Sequence, residues 1–131
     1  MSNPYAAYKK QTVQTMTPIE LIVKLYDALE RELNRGIHFI EEKDFEKANN
    51  SLKHALELTE GLEDGLDLKY DIGGDLYRIY NFLCNEILLA NTKKDADIIR
   101  NLLPQISELK DAFVQISKMS KEQIAIQDEK R

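Results

Sequence analysis

Cysteine is nearly missing from this chain: Cys84 is the only one among 131 residues, so no internal disulfide can form. A lone thiol fits a reducing compartment. Tryptophan is absent, and there are only three prolines and five glycines. No run approaches the ~20 apolar residues that a membrane-spanning helix needs. A basic surplus is lacking too, since 18 basic against 23 acidic residues leave a net charge of −5 with both histidines neutral. That balance speaks against duplex nucleic acid, whose binders neutralise phosphates, and equally against an anionic membrane surface or insertion into one. The opening stretch MSNPYAAYKKQ has no apolar h-region, so no cleaved secretory signal is expected. The expectation is one cytoplasmic domain with a core large enough to need no staple.

What is present is helical. All five glycines lie at 36, 61, 65, 73 and 74 and the prolines at 4, 18 and 104, and no hairpin signal separates alternating runs. Thr17-Pro18-Ile19-Glu20 has the form of a capped helix start, with proline at the first helical position. From there Ile22, Leu25, Tyr26, Leu29, Leu33, Ile37 and Ile40 keep the spacing of one buried stripe, with Gly36 on it to admit a close neighbour. Asp44 can cap a second helix carrying Phe45, Ala48, Leu52, Ala55, Leu56, Thr59 and Leu62, which should stop near Gly61 and Gly65. After a loop over residues 66–74, a third helix runs to about Asn91 on Leu76, Ile79, Tyr80, Leu83, Ile87 and Ala90. Asp95 caps a fourth, bent at Pro104, whose Ile99, Leu102, Leu103, Ile106, Leu109, Phe113 and Ile116 face inward. The fold expected is all-α: an antiparallel up-down four-helix bundle over 17–117, with a mobile N-terminal arm (1–16) and a short, polar, frayed tail (118–131).

Chemistry is not visible. His38 and His54 each have glutamate one turn later, but bundle metal centres use Glu-x-x-His with further inward glutamates. Cys84 sits beside the third stripe with no base placed to activate it. Gly73-Gly74 is flanked by Asp71 and Asp75, which would repel phosphate, and reads as a flexible helix entry. No catalytic residue, cofactor or metal is expected, and the chain is not read as an enzyme.

Apolar residues off the stripes are the informative remainder. With Leu76 at 0° and roughly 100° per residue, the third stripe covers roughly 300–40°, whereas Phe82 and Leu89 fall near 220–240°. Tyr77, Cys84 and Leu88 widen the stripe on its other flank. On the first helix Leu21, Ala28 and Phe39 line up similarly, off the stripe. Such residues are either edge-of-core positions covered by neighbours, or an apolar groove for partner helices. A removable arm allows both, and residues 1–16 include Tyr5, Ala7 and Tyr8 among polar neighbours.

Several segments, in order, resemble one family. They are Asn3-Pro4-Tyr5-Ala6-Ala7-Tyr8, the stretch from Thr15 to Ile22, Leu25-Tyr26-Asp27, Gly65-Leu66-Asp67, Leu76-Tyr77, Leu88-Leu89-Ala90-Asn91 with Asp95, and Leu109-Lys110-Asp111-Ala112-Phe113. The set is similar to the flagellar secretion chaperones, FliS, over about residues 3–117. The resemblance implies a cytosolic chaperone that binds the C-terminal helical segment of flagellin, which wraps around it. Binding would prevent premature polymerisation, and the loaded complex would be recognised by the flagellar export gate. The family's N-terminal Ala-Tyr region, implicated in delivery and in capping the groove, carries over to Ala7 and Tyr8. This chain departs from the pattern at Ala28, where glycine is frequent, and at Phe113, where tryptophan is frequent.

Residues and resemblance together make Tyr5, Ala7, Tyr8, Leu21, Tyr26, Phe39, Tyr77, Phe82 and Leu89 the candidate partner-binding positions. Flagellin ends that fold on the bundle would lose ordering entropy, keeping affinity moderate and release possible without ATP. The expected state is a monomer or weak homodimer. The alternative is a homo-oligomeric structural bundle whose outer apolar lines are merely its own interface.

Overall fold

The structure, a computed structural model, describes residues 17–66 and 71–129. They form α1 (Pro18–Glu41), α2 (Phe45–Asp64), α3 (Asp71–Lys93) and α4 (Ala96–Glu129), with no strand among the described residues. Helix starts follow capping chemistry. Thr17 accepts from the Glu20 N–H at 3.1 Å, Asp44 from the Lys47 N–H at 3.2 Å and Asp95 from the Asp97 N–H at 3.0 Å. Two helix ends are closed by lysines in the left-handed region, Lys43 (φ 60°) and Lys94 (φ 53°). The next residues turn back on the helix, Asp44 N–H to the Phe39 carbonyl and Asp95 N–H to that of Ala90.

α1 packs against α2 and α4, and α3 against the same two, so α1 and α3 lie on a diagonal of the bundle. Between them sits one core, with Leu25, Tyr26, Leu29 and Leu33 from α1 and Leu52, Ala55, Leu58 and Leu62 from α2. Tyr80, Leu83 and Ile87 come from α3, and Ile99, Leu102 and Ile106 from α4. Polar contacts tie three of the four seams. Lys110 on α4 reaches Asp27 (2.8 Å) and Glu30 (3.6 Å) on α1. Glu32, buried on α1, lies 3.1 Å from Arg35 and 3.5 Å from His54 of α2. Asn91 of α3 donates to Asn49 of α2 at 2.8 Å.

The close approach that Gly36 was expected to permit is there: a Cβ at this position would lie 2.8 Å from Leu52 Cδ2 and 3.2 Å from its Cγ. This contact draws α2 over one flank of α1 and corrects the expected stripe. Leu21, only 7% exposed, and Ala28 are core rather than groove, while Ile22, Ile37 and Ile40 are only half-buried. The sequence stripe is right in period but off in phase, because the buried arc centres between two neighbouring helices rather than on its most apolar line.

Two boundaries also differ. α3 begins at Asp71, not Asp75, so the Gly73-Gly74 pair is helical. The expected frayed tail is helix as far as Glu129. Residues 118–129 contain no glycine or proline and include two each of Lys, Glu and Gln, all good helix formers, so local propensity favours continuing the helix. Pro104 is accommodated on the exposed side of α4, where the chain stays helical on both sides of it.

Two of the helical glycines, Gly36 and Gly74, should respond oppositely to substitution. Gly36→Val overpacks a fully buried Leu52 and should cost about 2 kcal/mol or more. A Cβ on Gly74 meets nothing within 4 Å, so Gly74→Ala should stabilise by about 0.5–1 kcal/mol. Denaturant unfolding of the two variants measures both signs.

Candidate partner-binding surface

Tyr26 and Tyr80 meet across the diagonal with their hydroxyls 2.5 Å apart, and the Tyr26 ring stacks on Phe113 at 5.6 Å between centroids. Burial, and next the neighbouring Tyr80 phenol, hold the Tyr26 hydroxyl well above the usual tyrosine range. Burial raises Tyr80 as well, while its bond to Tyr26 opposes that shift. Both phenols therefore stay protonated, one donating to the other. At 0% exposed, Tyr26 is a core pin and not a residue a partner can touch. That corrects the expectation placed on it, as the 7% exposure of Leu21 does for that position. Phe39 is half-covered: the Arg35 guanidinium lies 6.0 Å from its ring centre and the Lys47 ammonium 5.8 Å. The flank of α1 bearing Leu21, Ala28 and Phe39 thus faces α2, not an open groove. Tyr5, Ala7 and Tyr8 lie outside the described residues.

α3 is different. Its Asn91 side faces α2, so the flank near 220–300° from Leu76, bearing Ile79, Phe82 and Leu89, faces α4. Phe82 is 46% exposed and Leu89 38%, with Ile79 similarly open. On α4 the flank opposite Lys110 carries Ile98, Leu109 and Ile116, of which Ile116 is exposed. The α3–α4 seam is the most thinly packed of the four, and among the described residues no ion pair or side-chain hydrogen bond crosses it. The result is a row of exposed apolar side chains beside an unbridged seam, with the half-buried Glu86 on the same flank of α3. On the other flank Tyr77 and Leu88 are exposed around a buried Cys84.

Ile79 and Ile116, read from the sequence as inward-facing, belong to this surface, and so does Leu88. Their stripe positions carried no sign of exposure, because exposure there depends on how far α4 stands off from α3. Cys84 gives no reactivity: burial, then the charges of Glu63 and Glu60, push its thiol up to about 12, so it is protonated at neutral pH. Among the described residues no three His, Cys, Asp or Glu side chains cluster as metal ligands, and no helix is long and apolar enough to cross a membrane. The surface can do one thing well, which is to receive apolar side chains of another polypeptide.

Comparison with known proteins agrees in kind. The family described as "Flagellar protein FliS" matches residues 1–120. The chain is 26% identical over 115 residues to the flagellar secretion chaperone FliS of Bacillus subtilis strain 168, covering 88% of this chain and 86% of that one. It is 29% identical over 111 residues to the protein of the same name from Salmonella typhimurium, covering 82% of each. In three dimensions it is similar to a bacterial flagellar chaperone crystal structure with TM-score 0.74 at 16% identity, over 87% of this chain and 94% of that one; this likeness speaks to the fold.

The tyrosine pair has a measurable signature. Tyr26→Phe or Tyr80→Phe strands one buried hydroxyl and should each cost about 1–2 kcal/mol, whereas the double variant should cost clearly less than their sum. Strict additivity in a double-mutant cycle would contradict the pairing.

Proposed function

The chain belongs to the FliS family of flagellar secretion chaperones, and from that premise we propose that it holds the C-terminal helical segment of flagellin in the cytoplasm. Holding that segment blocks premature polymerisation, and the loaded complex is what the flagellar export gate receives. FliS proteins are chaperones, not enzymes, so the work is done by binding alone.

The observation that carries the reading is the row of Phe82 and Leu89, two turns apart and open to solvent beside a thinly packed seam. A partner helix laid along the trough covers both with one apolar face. Completing the burial of two such half-exposed side chains supplies roughly 1–3 kcal/mol. Ordering a disordered flagellin end offsets much of that gain, so the complex is firm enough to hold and weak enough to release. Tyr77, on the opposite flank, extends the surface around α3. The arm, with Tyr5, Ala7 and Tyr8, competes with cargo for the trough, and the unloaded chain is a monomer or weak homodimer.

Two measurements test this. Phe82→Ser with Leu89→Ser should leave the helix content and melting of the chain intact while weakening binding of a flagellin C-terminal peptide about 10–100-fold in calorimetry. Removal of residues 1–16 should tighten the same binding and increase the fluorescence of an apolar dye. An arm-deleted chain identical to the full chain in both respects would end the competition idea.

A further inference from the structure

α3 carries two heptad seams side by side. Inward, Leu76, Tyr80, Leu83, Ile87 and Ala90 step by four and three residues in turn and pack in the core. Beside them Asp75, Ile79, Phe82, Glu86, Leu89 and Lys93 repeat the same step on the flank toward α4. This alternation is the pattern by which one helix receives another with interlocked side chains. Ile79, Phe82 and Leu89 on the outer seam are exposed. On the flank of α4 that bears Leu109 and Ile116, Gln105, Ala112 and Met119 complete the same step, and Ile116 and Met119 are exposed as well. Two outward seams side by side make a seat for one further helix.

Glu86 interrupts the outer seam at its middle. It stands one turn past Phe82 and one turn short of Leu89, half-buried between them. Among the described residues no ion pair or hydrogen bond engages its carboxylate. The bases on α3 lie elsewhere: Arg78 is held by Asp75, and Lys93 is two turns on, at the end of the helix. The α4 seam, from Gln105 to Met119, has no charged member. The fold makes no use of this carboxylate.

We infer that Glu86 fixes the register and direction of the cargo helix, by requiring a lysine or arginine opposite it between two apolar contacts. The inference rests on the chaperone reading above and names a specificity-determining side chain within it. An apolar row alone reads alike in both directions and tolerates slippage by a turn. One charge on the row removes those alternatives, because a helix that sets an apolar residue there strips the carboxylate of water without replacing it. Lys93 makes one end of the seam basic, whereas Asp75 at the other is already paired, so the two directions are not equivalent. The occupant that fits has two apolar residues seven apart, a cation between them and an acid one turn beyond, over Lys93. A second copy of this chain fits worse. Parallel, it sets Glu86 against Glu86; antiparallel, it brings Glu86 to the copy's Lys93 only by carrying Ile79 and Phe82 past the end of the copy's α3. A polar residue at a single seam position specifies register at some loss of affinity, which accords with a cargo that must be released.

The test uses the full chain and a peptide of the C-terminal helical segment of the flagellin encoded with it, carrying a nitroxide at one terminus. With the unsubstituted chain the label should broaden the methyl signals of one of Ile79 and Leu89 much more than those of the other. Glu86→Leu should hold or raise affinity while the label broadens the two alike, since the helix then binds in either direction. Glu86→Lys should weaken binding about 10-fold, and one lysine- or arginine-to-glutamate change in the peptide should restore most of it. Both variants should melt with the parent, because this side chain supports no contact of the fold. One-sided broadening that survives Glu86→Leu, or a Glu86→Lys chain that binds as the parent does or that no such peptide change restores, would overturn the inference. If Phe82→Ser with Leu89→Ser still weakens the complex, the chaperone reading stands. Absence of binding by the unsubstituted chain would overturn both. Self-association of the cargo-free chain that Glu86→Lys abolishes would assign the seam to a second copy and overturn the inference.

Discussion

The constraint on which everything turns is that α3 carries more apolar surface than its two neighbours can cover. A helix packed between two others buries little more than half of its circumference. Tyr80, Leu83, Ile87 and Ala90 use that share fully. Ile79, Phe82 and Leu89 on one flank and Tyr77 and Leu88 on the other are surplus to the fold. Exposed apolar side chains in rows two turns apart contribute nothing to a monomer's stability and invite association. The function proposed above assigns them to a second polypeptide, and the chain's membership of the FliS family is what suggests its kind.

The rest of the bundle keeps that surplus presentable. Gly36 lets α1 and α2 interlock over Leu52, and Lys110 and Glu32 tie α1 to its neighbours on either side. The tyrosine pair spans the core from α1 to α3, so the helix with the most exposed apolar surface is held from behind by the helix diagonal to it. Such a buried polar pair fixes position more than it adds energy.

Much of the fold was legible because its signals are local. Thr17-Pro18, Asp44 and Asp95 mark helix starts by their own capping chemistry, and the apolar period identifies each helix. What could not be read was phase and length. Whether Leu21 is groove or core depends on how closely α2 approaches at Gly36, and whether Ile116 is core or surface depends on how far α4 stands from α3; both are tertiary distances. Tyr26 was misplaced for a related reason, since a tyrosine on a core stripe has the same period whether its hydroxyl meets water or another tyrosine. The helical course of α4 past residue 117 was hidden by polar composition, which marks a segment as unburied and not as irregular. Phe82 and Leu89, by contrast, were visible as off-stripe residues because their angular position lies outside the arc of the α3 stripe whatever the distance to α4.

The most direct measurement is methyl NMR of the full chain with and without the flagellin C-terminal peptide. The account predicts that Ile79, Leu88, Leu89 and Ile116 shift on loading while Leu29, Leu33 and Leu58 in the core hold their positions. Shifts confined to α1, with the methyls on both flanks of α3 unmoved, would contradict it.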